Sequence, residues 1–239
     1  MGRLAQHQVT HQGNKQTIIQ RGYAYDHAGN LSAINDFRKG NTHYQYDALN
    51  RLSQVNSFIN EQFDFDPAGN LLAHSSSQDT STQTHTSAAQ QTTGNRLAFL
   101  GDRKFTYDSR GNLIKEQRGK QGQLHTEFIY NTDNQLIRVL KNTTHQQEEY
   151  HYHYDTLGRR IEKTTPEHNT HFIWNGDVLL SEQRINNNDK ASEPEQKTYL
   201  YEPDSFRPLA LIQNNHIYHY HLDHLGTPQE LTHHTGELA

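Results

Sequence analysis

Cysteine is absent from the 239 residues, which excludes a disulfide scaffold, a thiolate zinc site and a cysteine nucleophile. Apolar residues are scarce. Hydrophobic side chains make up 31%, and even with the 15 glycines the chain falls short of the ~45–50% of an ordinary globular protein. Mean hydropathy is -1.03, and no run approaches the ~20 apolar residues of a membrane span. Residues 1–20 lack the basic, apolar and small-residue succession of a secretory leader. Positive charge is in deficit as well: 22 Lys and Arg face 27 Asp and Glu, a net charge of -5. That balance disfavours generic electrostatic binding to nucleic acid or anionic membrane, although 18 histidines would shift it in acid. Phosphate-binding loops, paired-histidine metalloprotease helices and nucleophile elbows are missing, and no cofactor is implied.

Aromatic residues are what the chain does have. Thirteen tyrosines and nine phenylalanines are too many for a solvated coil, and their placement excludes disorder further. Each tyrosine has another aromatic two positions away: Tyr23 with Tyr25, Tyr44 with Tyr46, Phe105 with Tyr107, Phe128 with Tyr130. Tyr150, Tyr152 and Tyr154, then Tyr199 with Tyr201 and Tyr218 with Tyr220, complete the series. Residues i and i+2 share a strand face and diverge on a helix, so the spacing predicts strand after strand with one aromatic face.

A turn follows each aromatic pair. The copies are Tyr25-Asp26-His27-Ala28-Gly29-Asn30-Leu31, Tyr46-Asp47-Ala48-Leu49-Asn50-Arg51-Leu52 and Phe65-Asp66-Pro67-Ala68-Gly69-Asn70-Leu71. Downstream come Tyr107-Asp108-Ser109-Arg110-Gly111-Asn112-Leu113, Tyr130-Asn131-Thr132-Asp133-Asn134-Gln135-Leu136 and Tyr154-Asp155-Thr156-Leu157-Gly158-Arg159-Arg160-Ile161. A period of about 20 residues marks a repeat architecture. In each copy the Asp side chain can accept backbone N–H groups two residues on, and Gly, or Asn at 50 and 134, takes the positive φ that closes a hairpin. Two polar stretches, about 74–94 and 186–197, interrupt the rhythm and read as exposed loops within a single unit spanning 1–239.

Repeated Tyr-Asp-x-x-Gly-Asn-Leu resembles the YD-repeat family of Rhs and teneurin proteins, over nearly the whole chain from Tyr23 onward. The tail, about 216–232, is similar to the box that closes the repeat region in bacterial Rhs proteins, and contains Asp223-His224-Leu225-Gly226-Thr227-Pro228. Phe172 to Glu182 and Tyr199 to Leu209 are similar to the segments preceding that box. The resemblance implies an all-β fold, a curved antiparallel sheet of repeated hairpins forming part of a spiral β-shell. It also implies a non-enzymatic role: a segment of the shell that encloses a C-terminal toxin in bacterial competition. The implied partners are a toxin domain or other shell segments, with a secretion-system component or cell-surface glycan as further candidates. Location would be cytoplasmic before export through a specialised secretion system. The Asp-Pro cleavage motif and toxin that follow the box in full-length Rhs proteins are not in this sequence, so a piece of shell or an orphaned Rhs fragment is expected. A carbohydrate or cell-surface binding module stays open as the alternative, because aromatic rows suit stacking on sugars.

His151 and His153 share a strand face, as do His219 and His221, with Asp223 continuing the second series; imidazoles two apart can chelate zinc or copper. Without a third ligand fixed by spacing, the expectation is a solvated face and no metal. The recurrence of Asp26, Asp47, Asp66, Asp108 and Asp155 points to turn capping, since catalytic groups are usually unique. Asp223, His224 and Thr227 form the one constellation read as unrepeated, with Gly226-Thr227-Pro228 expected to make a tight turn.

Overall fold

The computed structural model describes residues 2–78, 85–92, 96–119, 122–189 and 191–239. Among the described residues, strands account for every regular element of length. The first nine are β1 (Gln6–Thr10), β2 (Thr17–Tyr25), β3 (Leu31–Asp36), β4 (Gly40–Tyr46), β5 (Leu52–Asn56), β6 (Ile59–Phe65), β7 (Leu71–Gln78), β8 (His85–Thr92) and β9 (Arg96–Leu100). Then follow β10 (Arg103–Tyr107), β11 (Leu113–Arg118), β12 (Leu124–Tyr130), β13 (Leu136–Asn142), β14 (Gln147–Tyr154) and β15 (Arg160–Thr164). The last six are β16 (His168–Asn175), β17 (Val178–Asn186), β18 (Glu195–Tyr201), β19 (Pro208–Gln213), β20 (His216–Leu222) and β21 (Pro228–His233). Among the described residues no helix is long and apolar enough to cross a membrane.

Two compact units divide the chain, Met1–Asp102 and Arg103–Ala239. The reason lies in the topology. In each unit the described pairings join strands consecutive in sequence and are antiparallel, so each strand's contacts run to its neighbours in sequence. Successive connections alternate between two ends of the strands. One end carries the Tyr-Asp turns, here the turn edge, and the other carries the return connections, here the return edge.

A bulge accompanies each Tyr-Asp hairpin. Tyr25 pairs with Leu31 but Ala24 with Ala33, leaving Ser32 as an extra residue on the returning strand. The same shift recurs at Tyr46, Phe65, Tyr107, Tyr130 and Tyr154, and also at Trp174, Tyr201 and Leu222. Bulges increase local right-handed twist and bend the strand that carries them.

Cross-strand rows take the place of a conventional core. Phe128, Val139 and Tyr150 lie directly opposite one another on β12, β13 and β14, and Tyr199, Leu211 and Tyr218 do so on β18, β19 and β20. Such rows are the unit of sheet stabilisation. Buried apolar residues are few and mostly small, such as Ala33, Val55, Ala98, Val139 and Ala210, and none of the large described side chains is fully buried. One row is ionic: Arg21 of β2 lies 2.7 Å from Asp36 of β3, the two only 3% and 9% exposed. Burial pushes the Asp36 carboxyl up, but the Lys39 and Arg38 N–H groups and the Arg21 guanidinium outweigh it and hold the pKa below the ordinary 3.8.

The polar stretch expected as a loop over about 74–94 is largely strand. β7 runs to Gln78 and β8 spans His85–Thr92, and they pair in register from Ala73 with Ala88 to Ser76 with His85. Ser, Thr and Gln suffice here because ladder hydrogen bonds belong to the backbone, and one sheet layer has no second layer to demand large apolar residues. The remainder of that stretch, 79–84 and 93–95, lies outside the described residues. The second stretch is strand at both ends, β17 reaching Asn186 and β18 starting at Glu195, and Lys190 lies outside the described residues.

Candidate functional site

The repeated turn is the feature the sequence singles out, and its geometry is nearly identical from copy to copy. Asp26 N–H donates to the Asn30 carbonyl, and Gly29 N–H to the Asp26 carbonyl. Asp26 Oδ1 accepts from Asn30 N–H at 2.8 Å and Oδ2 from the Asn30 amide at 3.0 Å. Asp66 with Asn70 and Asp108 with Asn112 repeat this pairing at 2.8 to 2.9 Å. Asn131 and Gln135 reproduce it with two amides. Where arginine follows, the guanidinium replaces the amide: Arg51 Nε donates to Asp47 Oδ2 at 2.6 Å and Arg159 Nε to Asp155 Oδ2 at 2.7 Å. The closing position has φ of 92° at Gly29, 88° at Gly69 and 93° at Gly111, and 59° at both Asn50 and Asn134.

Electrostatics follow from these bonds. The Asn70 amide and the adjacent N–H groups hold Asp66 below the ordinary 3.8, and Asn112 does the same for Asp108. At Asp47 the Arg51 N–H leads, and the pKa is again lowered. Burial pushes Asp26 and Asp155 up, but bonds from Asn30 and Arg159 prevail and both end below 3.8. Carboxylates so held are ionised at neutral pH and acceptors only, a poor state for general acid work.

Two further sets of bonds tie each repeat to the next. The tyrosine before the turn donates its hydroxyl to the carbonyl just after the preceding turn: Tyr46 to Leu31, Tyr130 to Leu113 and Tyr154 to Leu136, at 2.9, 3.0 and 2.8 Å. Trp174 does this with its indole N–H, to Arg160 O at 3.0 Å. Along the turn edge, the Asn30 amide reaches Asn50 Oδ1 and the Asn112 amide reaches Asn134 Oδ1, both at 2.9 Å. Arg51 reaches Asp66 O at 2.7 Å, and Arg159 reaches Gly176 O at 2.5 Å. Spacing alone did not reveal this ladder. The signal for it was the preference for Tyr over Phe before Asp, and for Asn or Arg four residues after it.

The closing box differs from its expected uniqueness. Asp223 N–H donates to Thr227 O and Gly226 N–H to Asp223 O, the backbone pattern of the other copies. Asp223 Oδ1 accepts from Leu225 and Thr227 N–H, and Oδ2 from Gln229. Leu222, Asp223, Gly226 and Pro228 thus occupy the places of Tyr25, Asp26, Gly29 and Leu31, a copy that Leu and Pro in place of the flanking Tyr and Leu disguise in the sequence. His233 to Glu237 closes one more such turn, with His233 in the Asp place.

The histidines singled out by spacing, His151, His153, His219 and His221, do not converge on one site, whereas His216, His233 and His234 lie together, with His233 Nε2 3.1 Å from His216 Nδ1. His221 Nε2 meets Thr232 Oγ1 at 2.8 Å, while His151 and His153 lie 3.0 and 2.9 Å from Glu149 and Glu162. Among the described residues no group of three His, Asp or Glu side chains is placed to hold a metal ion. His219 and His221 share a face with Thr232 and Glu230, opposite the Tyr218 and Tyr220 face.

Comparison with known proteins adds to this geometry. A family model described as Teneurin YD-shell matches residues 1–239. Double-stranded DNA deaminase toxin A of Burkholderia cenocepacia is 32% identical over 92% of this chain and 16% of its own length. Toxin protein Tse5 of Pseudomonas aeruginosa is 25% identical over 92% of this chain and 21% of its own. The chain therefore spans about a fifth or less of these relatives. In fold it is similar to a chain in the crystal structure of TcdB2-TccC3-Cdc42, with a TM-score of 0.60 and 13% identity over 99% of this chain and 14% of the other.

Proposed function

The chain belongs to the teneurin YD-shell family, and from that premise we propose that it is a non-enzymatic wall segment of an Rhs-type shell enclosing a toxin domain. The observation that carries this reading is the ladder of turns. Each turn carboxylate is engaged in its own turn, and the Tyr hydroxyls reach into the preceding repeat, so the repeated side chains build and interlock a wall. A sugar-binding row would present its aromatic groups to a ligand, whereas here Tyr46, Tyr130, Tyr154 and Trp174 donate to backbone.

Relatives named as toxins make a toxic polypeptide the natural cargo, and export through a specialised secretion system the natural route. The wall's task would be to isolate that polypeptide from the producing cell until delivery. A graft tests the reading: this chain replaces the matched segment of the Burkholderia toxin. The expected chimaera retains β-sheet circular dichroism and keeps its toxin domain resistant to trypsin until the shell is unfolded. A chimaera with the same circular dichroism and an immediately digested toxin domain contradicts it.

A further inference from the structure

Hairpin tips expose apolar side chains that the turns do not need. Leu157 and Leu225 are 74% and 79% exposed, two residues after Asp155 and Asp223, and Phe206 is 71% exposed in the neighbouring tip between β18 and β19. Each leucine contributes only its backbone N–H to the turn, at 2.9 Å from the carboxylate oxygen. The same position holds Ala28, Ala68, Arg110 and Asp133 in four other copies and the exposed Leu49 in one, so the turn itself does not require leucine. All three apolar tips lie on the turn edge of the unit Arg103–Ala239. The exposed Asp133, Asp177 and Asp204 lie on that edge with them; of its arginines, Arg159 and Arg207 are taken up by Asp155 and Glu202, and Arg110 donates to the Thr132 carbonyl and the Asn134 amide oxygen.

The return edge of the unit Met1–Asp102 has the complementary character. Phe37 and Phe58, 73% and 71% exposed, project at the connections between β3 and β4 and between β5 and β6. Lys15, Arg38 and Lys39 are exposed in the same row of tips. Asp36, at the end of β3, is paired with buried Arg21. Exposed lysine and arginine thus flank Phe37 and Phe58 on one edge, and three exposed aspartates flank Leu157, Phe206 and Leu225 on the other.

We propose that these two edges bind each other between copies: the Leu157, Phe206 and Leu225 tips of one molecule seat against the Phe37 and Phe58 tips of a second copy. Opposite charge flanks apolar side chains that both partners otherwise leave in water, which gives register as well as affinity. The contact is heterologous, using different surfaces on the two partners, and such contacts extend into open arrays unless the rotation closes them. The inference rests on the shell reading only in giving wall-to-wall stacking a purpose, and its own evidence is the tips.

Complementation tests it by analytical ultracentrifugation of the full chain and two double variants, Phe37→Ser with Phe58→Ser and Leu157→Ser with Leu225→Ser. These side chains are solvent-exposed, so unchanged circular dichroism is expected. The unaltered chain should associate beyond dimers as concentration rises, and less so in ~1 M salt, where the Debye length falls to about 3 Å. Each double variant alone should associate on the order of a hundredfold more weakly. An equimolar mixture of the two should recover a single heterodimer, because one intact edge of each kind remains. A monomeric unaltered chain, unaltered association of either variant, or a mixture that stays monomeric overturns the proposal. So does binding of a monomeric chain to anionic phospholipid vesicles, which would assign the basic edge to a membrane. None of these results bears on trypsin resistance of a grafted toxin, so the shell reading stands or falls separately.

Discussion

At Gly69 the backbone alone decides what the position tolerates. Its φ is 88°, and an added Cβ would meet nothing within 4 Å, so a substitution there reports strain without a clash. Gly69→Ala should cost about 1–2 kcal/mol in urea denaturation and Gly69→Asn clearly less, because Asn50 and Asn134 hold φ of 59° at the same place. Tyr154→Phe should cost about 1 kcal/mol through loss of the bond to Leu136 O, the ring being retained as at Phe65. Acid should weaken the turns. Asp66 and Asp108 have folded pKa values below the ordinary 3.8, so their contribution is complete above that value and is lost as pH falls through the lowered one. Melting temperature should therefore drop on acidification below about pH 4, and the double variant Asp66→Asn, Asp108→Asn should show a flatter profile. Turn residues were legible because Asp and Gly recur. The Tyr hydroxyl staple was not, since a hydroxyl's partner lies 15 to 18 residues back, across a strand pair that only the fold brings together.

Hairpins are legible wherever aromatic residues alternate, and much less so where they do not. β12 to β14 announce themselves through Phe128, Tyr130, Tyr150, Tyr152 and Tyr154, whereas β7 and β8 are hidden by Ser, Thr and Gln. Periodicity in apolar residues reports a buried face, and a strand whose faces are both polar pairs through its backbone with no such signal. The closing box illustrates the converse, a repeat disguised by its flanks. In the hairpin of β2 and β3, the Arg21 and Asp36 pair makes a separate prediction. Asp36→Ala leaves a buried guanidinium without its carboxylate and should cost about 3–5 kcal/mol, while Arg21→Met with Asp36→Leu should restore most of the loss; equal midpoints for the single and double variants would contradict this.

Across the whole molecule, stability is distributed along the chain instead of concentrated in one core. Contacts run between consecutive strands, a quasi-linear arrangement in which one part can open while another persists. Hydrogen exchange should accordingly separate Met1–Asp102 from Arg103–Ala239, with distinct opening free energies for the two; a single uniform opening free energy would contradict it. The low apolar content that sets this chain apart follows from the same design, a wall one sheet thick. As a shell segment, such a wall would hold a polypeptide. The most direct measurement is purification from the cell that makes the protein, followed by trypsin digestion and mass spectrometry of what survives. The expected result is a co-purifying toxin polypeptide that resists trypsin at neutral pH and becomes digestible when the turns are disrupted by Asp66→Ala, Asp108→Ala and Asp155→Ala. Recovery of the folded protein with no protected polypeptide would contradict it.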